Sequence, residues 1–226
     1  MITRWAQIAV TVLILFNATN TWANEIYISQ AGDDLTLEIQ QRSEDNYVLL
    51  YGIGNNNDIT VRQGMHVDGS IDSDETGGHT AYWFVLGDNN DLGSYQTDTN
   101  RGGGGNPHHL ANIVNGDDNT VEHIQMGKAG HDGFIEIQGD SNTVDLYQRG
   151  NGGVKWADIV LTGDGHTVDV DQRGSNAASA ELNLTNSGGA YNYTLSQNVT
   201  TSADSISVFG SCANASGCTV TVNRDN

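Results

Sequence analysis

A Gly and a Gln stand nine residues apart seven times in this chain, at Gly32/Gln41, Gly54/Gln63, Gly87/Gln96, Gly116/Gln125, Gly139/Gln148, Gly163/Gln172 and Gly188/Gln197. The steps between successive Gly residues are 22, 33, 29, 23, 24 and 25. A fixed frame that recurs every 20 to 50 residues or so marks a repeat architecture, in which one unit cannot bury a core and stacked units can.

Side-chain parity within the frame shows what each unit is. The fifth residue after the Gly is Leu37, Ile59, Leu92, Val121, Val144, Val168 and Tyr193, and the seventh is apolar in five of seven copies. With the Gln at the ninth place these positions share one face of a strand, because strand side chains alternate with period two. The other face carries residues such as Thr143, Asp145 and Tyr147, so the strand reads as apolar inward and polar outward. A second apolar strand precedes each Gly, and an eighth copy of it, Ile206 to Phe209, precedes Gly210. The expected fold is therefore all-β, a parallel stacked β-solenoid of about seven to eight two-strand coils.

The Gln column constrains the interior most. A buried amide without partners is costly, but in a stack each Gln can donate to one neighbour and accept from the other. Gln41, Gln63, Gln96, Gln125, Gln148, Gln172 and Gln197 are thus expected to form a ladder that extends into self-assembly. Gly32, Gly54, Gly87, Gly116, Gly139, Gly163 and Gly188 are expected to make the corners, with Asn57, Asn90, Asn119 and Asn142 taking left-handed backbone and capping the turns.

Residues 1–23 read as a secretory signal peptide, with Arg4 before an apolar run and a small-residue site ending at Ala23. The apolar run is too short for a membrane-spanning helix, which needs about 20 residues. Residues 24–226 then form one solenoid domain, with insertions at 64–80 and 97–110 that account for the two long steps. Cys212 and Cys218 suit one local disulfide that staples the C-terminal end of an exported chain.

The formal net charge of −19 at pH 7 argues against nucleic acid, which requires clustered Lys and Arg. It also argues against adsorption to anionic lipid. No cofactor and no catalytic or metal motif is expected. His108, His109, His123 and His131 read as loop histidines around a Gly-rich insertion rather than a metal cluster. Asp145, Asp169 and Asp171 on an outward face raise acid-catalysed cleavage of a polysaccharide, which the short chain and the strong negative charge disfavour, so no enzyme activity is expected.

The frame Gly-x-x-Asn-x-Val-x-x-x-Gln, followed by Gly at Gly127, Gly150 and Gly174, resembles the curlin repeat, the unit of the curli fibre subunits of Gram-negative biofilms. The family pattern runs Gln-x-Gly-x-Gly-Asn-x-Ala-x-x-x-Gln. Its distance from Asn to Gln is kept at Asn57/Gln63, Asn90/Gln96, Asn119/Gln125 and Asn142/Gln148. Only the first copy has the opening Gln-x-Gly, at Gln30 to Gly32, and Val or Ile often replaces the family's Ala. The resemblance implies passage through the periplasm and outer-membrane secretion machinery, and polymerisation at the cell surface with itself or other curlin-like subunits. It implies roles in adhesion and biofilm matrix, as a major, minor or nucleating subunit of an amyloid-type fibre. The competing expectation is a monomeric secreted β-solenoid adhesin or carbohydrate-binding module, with surface carbohydrate as its partner.

Overall fold

Each Gly–Gln frame folds as the second half of one coil, a strand that leaves a glycine corner and runs parallel to its counterparts in the coils on either side. The computed structural model describes residues 11–16, 24–43, 45–65, 77–97, 107–127, 131–149, 155–162, 166–174, 178–186, 191–199, 204–212 and 218–225. One sheet has nine strands: β1 (Thr11–Phe16), β3 (Thr36–Gln41), β5 (Asp58–Gln63), β7 (Asp91–Thr97), β9 (Thr120–Met126), β11 (Thr143–Arg149), β13 (His166–Gly174), β15 (Tyr191–Val199) and β17 (Cys218–Asp225). The other has eight: β2 (Glu25–Ala31), β4 (Tyr47–Ile53), β6 (Thr80–Leu86), β8 (His109–Asn115), β10 (His131–Gln138), β12 (Lys155–Thr162), β14 (Ala178–Asn186) and β16 (Asp204–Cys212). Every even strand and the odd strand after it make one coil, giving eight coils in a parallel β-solenoid. The expected fold is the fold found.

The register is set by burial. Ile59 aligns with Leu37 and Leu92, and Val121 with Leu92 and Val144, so the fifth position of every frame forms a continuous column. Leu37, Ile59, Leu92, Val121 and Val144 are buried, and they face Leu50, Trp83, Ile135 and Ile159 from the other sheet within one hydrophobic core. A slip of one residue in any strand would turn its whole apolar set outward, which fixes the stack.

The middle coils depart from this apolar core. Trp83 on β6 donates its indole N–H to Ser94 Oγ at 3.3 Å, which satisfies a group that burial would otherwise penalise. In the next coil Asn112 and His123 are both buried, and Gly133 above them leaves the room the imidazole fills, because a Cβ there would overlap the ring.

The corner explains the invariant glycine. Gly32, Gly54, Gly87, Gly116 and Gly139 have φ between 133° and 141°, and a Cβ on Gly116 would overlap the carbonyl of Gly139 in the next coil. The left-handed residue that follows is Asp34, Asn56, Asn89, Asp118 or Ser141, two places after the Gly. This corrects the expectation that Asn57, Asn90, Asn119 and Asn142 adopt that backbone. Those Asn residues stand one place further on, have no positive φ, and turn inward. Gly163 and Gly188 lie outside the described residues.

Two sequence boundaries are narrower than expected. Thr80 already belongs to β6, and Thr97, His109 and Leu110 belong to β7 and β8, so strands claim the edges of both insertions. Residues 66–76 and 98–106 of these insertions lie outside the described residues. Within the expected signal peptide, Thr11–Phe16 pairs with β3 as β1, and the rest lies outside the described residues. At the other end β17 completes an eighth coil that the frame alone did not reveal.

The corner geometry is directly testable. Gly116→Ala is expected to cost more than about 4 kcal/mol, since strain and overlap with backbone combine. Gly52→Ala, where a Cβ meets nothing within 4 Å, is expected to change stability by less than about 1 kcal/mol. Urea unfolding of both variants, monitored by circular dichroism, checks the contrast.

Candidate self-assembly site

The ladder begins with where the strands place the ninth residue of each frame. Backbone register aligns Gln41, Gln63, Gln96, Gln125, Gln148, Gln172 and Gln197 in one column. Gln41, Gln63, Gln96, Gln125 and Gln148 are buried. Gln41 Nε2 donates to Gln63 Oε1 at 2.9 Å, Gln63 to Gln96 at 2.9 Å, Gln96 to Gln125 at 3.0 Å, and Gln125 to Gln148 at 3.0 Å. The side chains of Gln172 and Gln197 lie outside the described residues.

Each amide also reaches across to the other sheet. Gln63 Nε2 lies 3.1 Å from the Tyr47 carbonyl and 3.0 Å from that of His79, and Gln96 makes the same pair with Thr80 and His108. Gln125 repeats it with His109 and His131. The Gln column therefore joins neighbouring coils to one another and one sheet to the other. At its N-terminal end Gln41 Oε1 is buried with no hydrogen-bond donor among the described residues. Register places Phe16 of β1 beside Gln41 there, and a phenyl side chain has no donor to offer.

The Asn residues build a second ladder at the corner. Nδ2 of Asn90, Asn119 and Asn142 donates to Oδ1 of the preceding Asn at 3.0, 3.1 and 2.9 Å. The same oxygens accept the backbone N–H of the following Asn. Asn57 and Asn90 donate to the carbonyls of Gly87 and Gly116, so the amides do cap the corner, from inside.

A third column was missed in the sequence. Asn46, His79, His108 and His131 stand eight residues before the Gly of successive frames, and all are buried. The rings of His79 and His108 stack at 5.0 Å and those of His108 and His131 at 4.8 Å, each pair 7° from parallel. Asn46 Oδ1 accepts the backbone N–H of His79, His79 Nδ1 accepts that of His108, and His108 Nδ1 accepts that of His131. The reading of His108 and His131 as loop histidines is thereby corrected: both are buried in this column, where His79 and His108 place Nδ1 as Asn46 places Oδ1 and the His131 ring stacks on His108. His109 is exposed on β8, and His123 sits alone in the core. The place of these residues eight before each Gly was the available signal, hidden because insertions shift their spacing from one another.

Burial, then the neighbouring imidazoles of His79 and His131, holds His108 well below the usual histidine range. Burial lowers His123 to about 3, although the Gln148 amide pulls the other way. On the outer face of the first sheet Glu122, Asp145 and Asp169 align, and burial followed by the adjacent carboxylate raises Glu122 and Asp145. Among the described residues no group of three or more His, Cys, Asp or Glu side chains is placed to hold a metal ion. Cys212 ends β16 and Cys218 opens β17, and their side chains lie outside the described residues.

The histidine shifts set the sign of a pH effect. A histidine that is neutral when folded but protonates near 6.5 when unfolded contributes stability above pH 6.5. That stability is lost as pH falls from 6.5 towards the folded value, by up to about 1.4 kcal/mol per pH unit for each such group. The raised carboxylates act oppositely, gaining stability as pH falls through their folded values. His108→Asn keeps an acceptor at that place, as Asn46 does, and is expected to flatten the loss between pH 6.5 and 5. Urea midpoints measured across that range check it, and an unchanged slope would exclude His108 as its source.

A family model, the curlin associated repeat, matches residues 32–64 and 139–174. The first stretch runs from the corner at Gly32 through β3, β4 and β5, and the second from Gly139 through β11, β12 and β13. No curated protein and no solved structure matches the chain. Both matched stretches carry the glycine corner and two rungs of the Gln column, and in these stretches the chain is similar to curlin associated repeats.

Proposed function

We propose that this chain is an exported structural subunit of a curli-type extracellular fibre, serving adhesion and biofilm matrix. In this reading residues 1–23 are removed during export through the periplasm, and outer-membrane machinery delivers the chain to the surface of a Gram-negative cell. Removal of β1 leaves β3 as an unpaired edge. Unpaired edges recruit strands unless they are covered.

The observation that carries the proposal is the end of the Gln ladder. Gln41 Oε1 is buried and has no donor among the described residues, whereas every column Gln oxygen from Gln63 to Gln148 is supplied by the amide of the preceding coil. A further coil ending in a side-chain donor completes that pattern, and a second copy of the chain is a source of coils in the same register. The curlin repeats supply the family context, which is one of structural fibre subunits rather than enzymes. The polar middle coils and the Cys pair favour a minor or nucleating role over that of the uniform major subunit.

The chain beginning at Asn24 is expected to form thioflavin-positive fibres with a meridional reflection near 4.8 Å. A stable monomer at high concentration would instead favour a soluble adhesin or carbohydrate-binding module. Replacing Gln148 and Gln172 together by Leu leaves the neighbouring amides short of partners, at about 1–3 kcal/mol for each unpaired buried group. Fibre growth is expected to slow by about tenfold or more, with secretion unchanged. Elongation followed by thioflavin fluorescence and export followed by immunoblot separate the two effects.

A further inference from the structure

The two outer faces of the solenoid differ in kind. The first sheet presents acids in columns, Asp58 with Asp91 and Glu122 with Asp145 and Asp169. The second sheet, across β4, β6 and β8, presents no Asp, Glu, Lys or Arg at any outward position. It presents instead Tyr51, Ile53, Tyr82, Phe84, Leu86 and Ile113, each between 37% and 42% exposed. Tyr51 aligns with Phe84 and Phe84 with Ile113, while Ile53 aligns with Leu86, so the apolar side chains stand in rows along the stack. The face ends abruptly in the next coil, where β10 brings Asp132 and Glu136 outward beside Phe134.

A contiguous exposed apolar surface on a chain of net charge −19 marks a contact site. We propose that this face is a lateral interface with a second copy of the chain, which pairs two stacks of subunits back to back. Charge selects the occupant. Two copies joined through this face turn their acid columns to opposite sides, about two sheet spacings further apart than a pairing through the acidic faces and one further than a front-to-back pairing, and bury no charge. An anionic lipid surface is repelled by the same net charge. A sugar platform needs neighbouring rings presented flat in one plane, but the ring planes of Tyr51 and Phe84 stand 39° apart and those of Tyr47 and Tyr82 50° apart. Flat facing sheets, by contrast, interdigitate side chains at about 10 Å separation.

Area decides when the pairing occurs. Three strands at about 4.8 Å, each about 23 Å long, give roughly 330 Å² per copy, or about 660 Å² in a pair, below the range of stable standard interfaces. One pair of free chains therefore associates weakly. In a fibre of the kind proposed above, the same patch recurs about every 38 Å, once per eight coils, and successive contacts reinforce one another. In this respect the inference rests on the stacking reading, and lateral pairing should follow axial growth.

The test uses Tyr51→Lys with Phe84→Lys in the chain beginning at Asn24. These substitutions reduce the net negative charge, so a general charge effect would promote association, whereas loss of the apolar face should abolish pairing. Thr60→Lys with Thr120→Lys, outward on the first sheet, is the control. Mass per unit length by scanning transmission electron microscopy should show two chains per subunit repeat in native and control fibres, and half that in the Tyr51/Phe84 variant. Equal mass per length in all three overturns the proposal. So do single-file native fibres, including the case in which a β-linked glucan binds them and not the variant. If no fibres form, the stacking reading fails and sedimentation equilibrium at high concentration and high salt decides the face alone. Self-association of the native chain that is lost in the Tyr51/Phe84 variant upholds it, and monomers in both overturn it.

Discussion

A primary amide buried in the interior has two donors and an acceptor that water does not reach, and here the best-placed partner for each amide is its own copy in the next coil. Gln63, Gln96 and Gln125 each meet this condition by giving Nε2 forward and receiving at Oε1 from behind. The rest of the coil is arranged so that this remains possible. Strand register must hold to the residue, the corner must turn within the fixed distance from Gly to Gln, and the coils must follow one another without a lateral step. The glycine corner serves this requirement, because Gly54, Gly87 and Gly116 let the chain pass so close to the next coil that no side chain fits.

Three ladders run along one stack, and they share a principle while differing in chemistry. Gln closes the end of the odd strand, Asn lines the corner, and Asn or His stands before the even strand. In the last column Asn46 Oδ1 and His79 Nδ1 perform the same task, accepting the backbone N–H one coil further on. An imidazole fills more volume and stacks on its neighbour, but it accepts at Nδ1 only while neutral. The middle of the solenoid thus gains ring stacking from His79 to His131 and, at His108, a dependence on pH that the Asn coil does not have. The same coils hold Trp83 with Ser94, and Asn112 with His123, so the polar character of the middle is continuous through its interior.

The seven-fold Gly–Gln frame made the coil, the inward parity and the Gln column legible, because strand periodicity and spacing are properties of a one-dimensional string. The direction of the amides within that column was not legible, since it depends on which carbonyls of the opposite sheet lie within reach. The His column escaped notice because insertions precede His79 and His108 and disguise their common distance from the Gly. The left-handed place was assigned to Asn57 and its equivalents, though Asp34, Asn89 and Ser141 hold it, because Asn tolerates both a corner and a ladder and composition does not choose between them. The apolar outer face was overlooked for a related reason. Alternation was read from the odd strands, where the outward residues are polar, and β4 and β6 are apolar on both faces.

The ladder also has a direction, and direction limits how copies can meet. Gln41, Gln63, Gln96 and Gln125 each point Nε2 towards the C-terminal end, so among the described residues the N-terminal end of the column closes with a buried acceptor, Gln41 Oε1. Two chains brought together by their N-terminal ends would set acceptor against acceptor. A chain approaching with its C-terminal end brings the opposite type. There the column position after Gln197 is Arg224, a residue whose guanidinium carries five donors and no acceptor. If copies stack in register, a head-to-tail arrangement is therefore the one that brings a donor to the buried Gln41 acceptor.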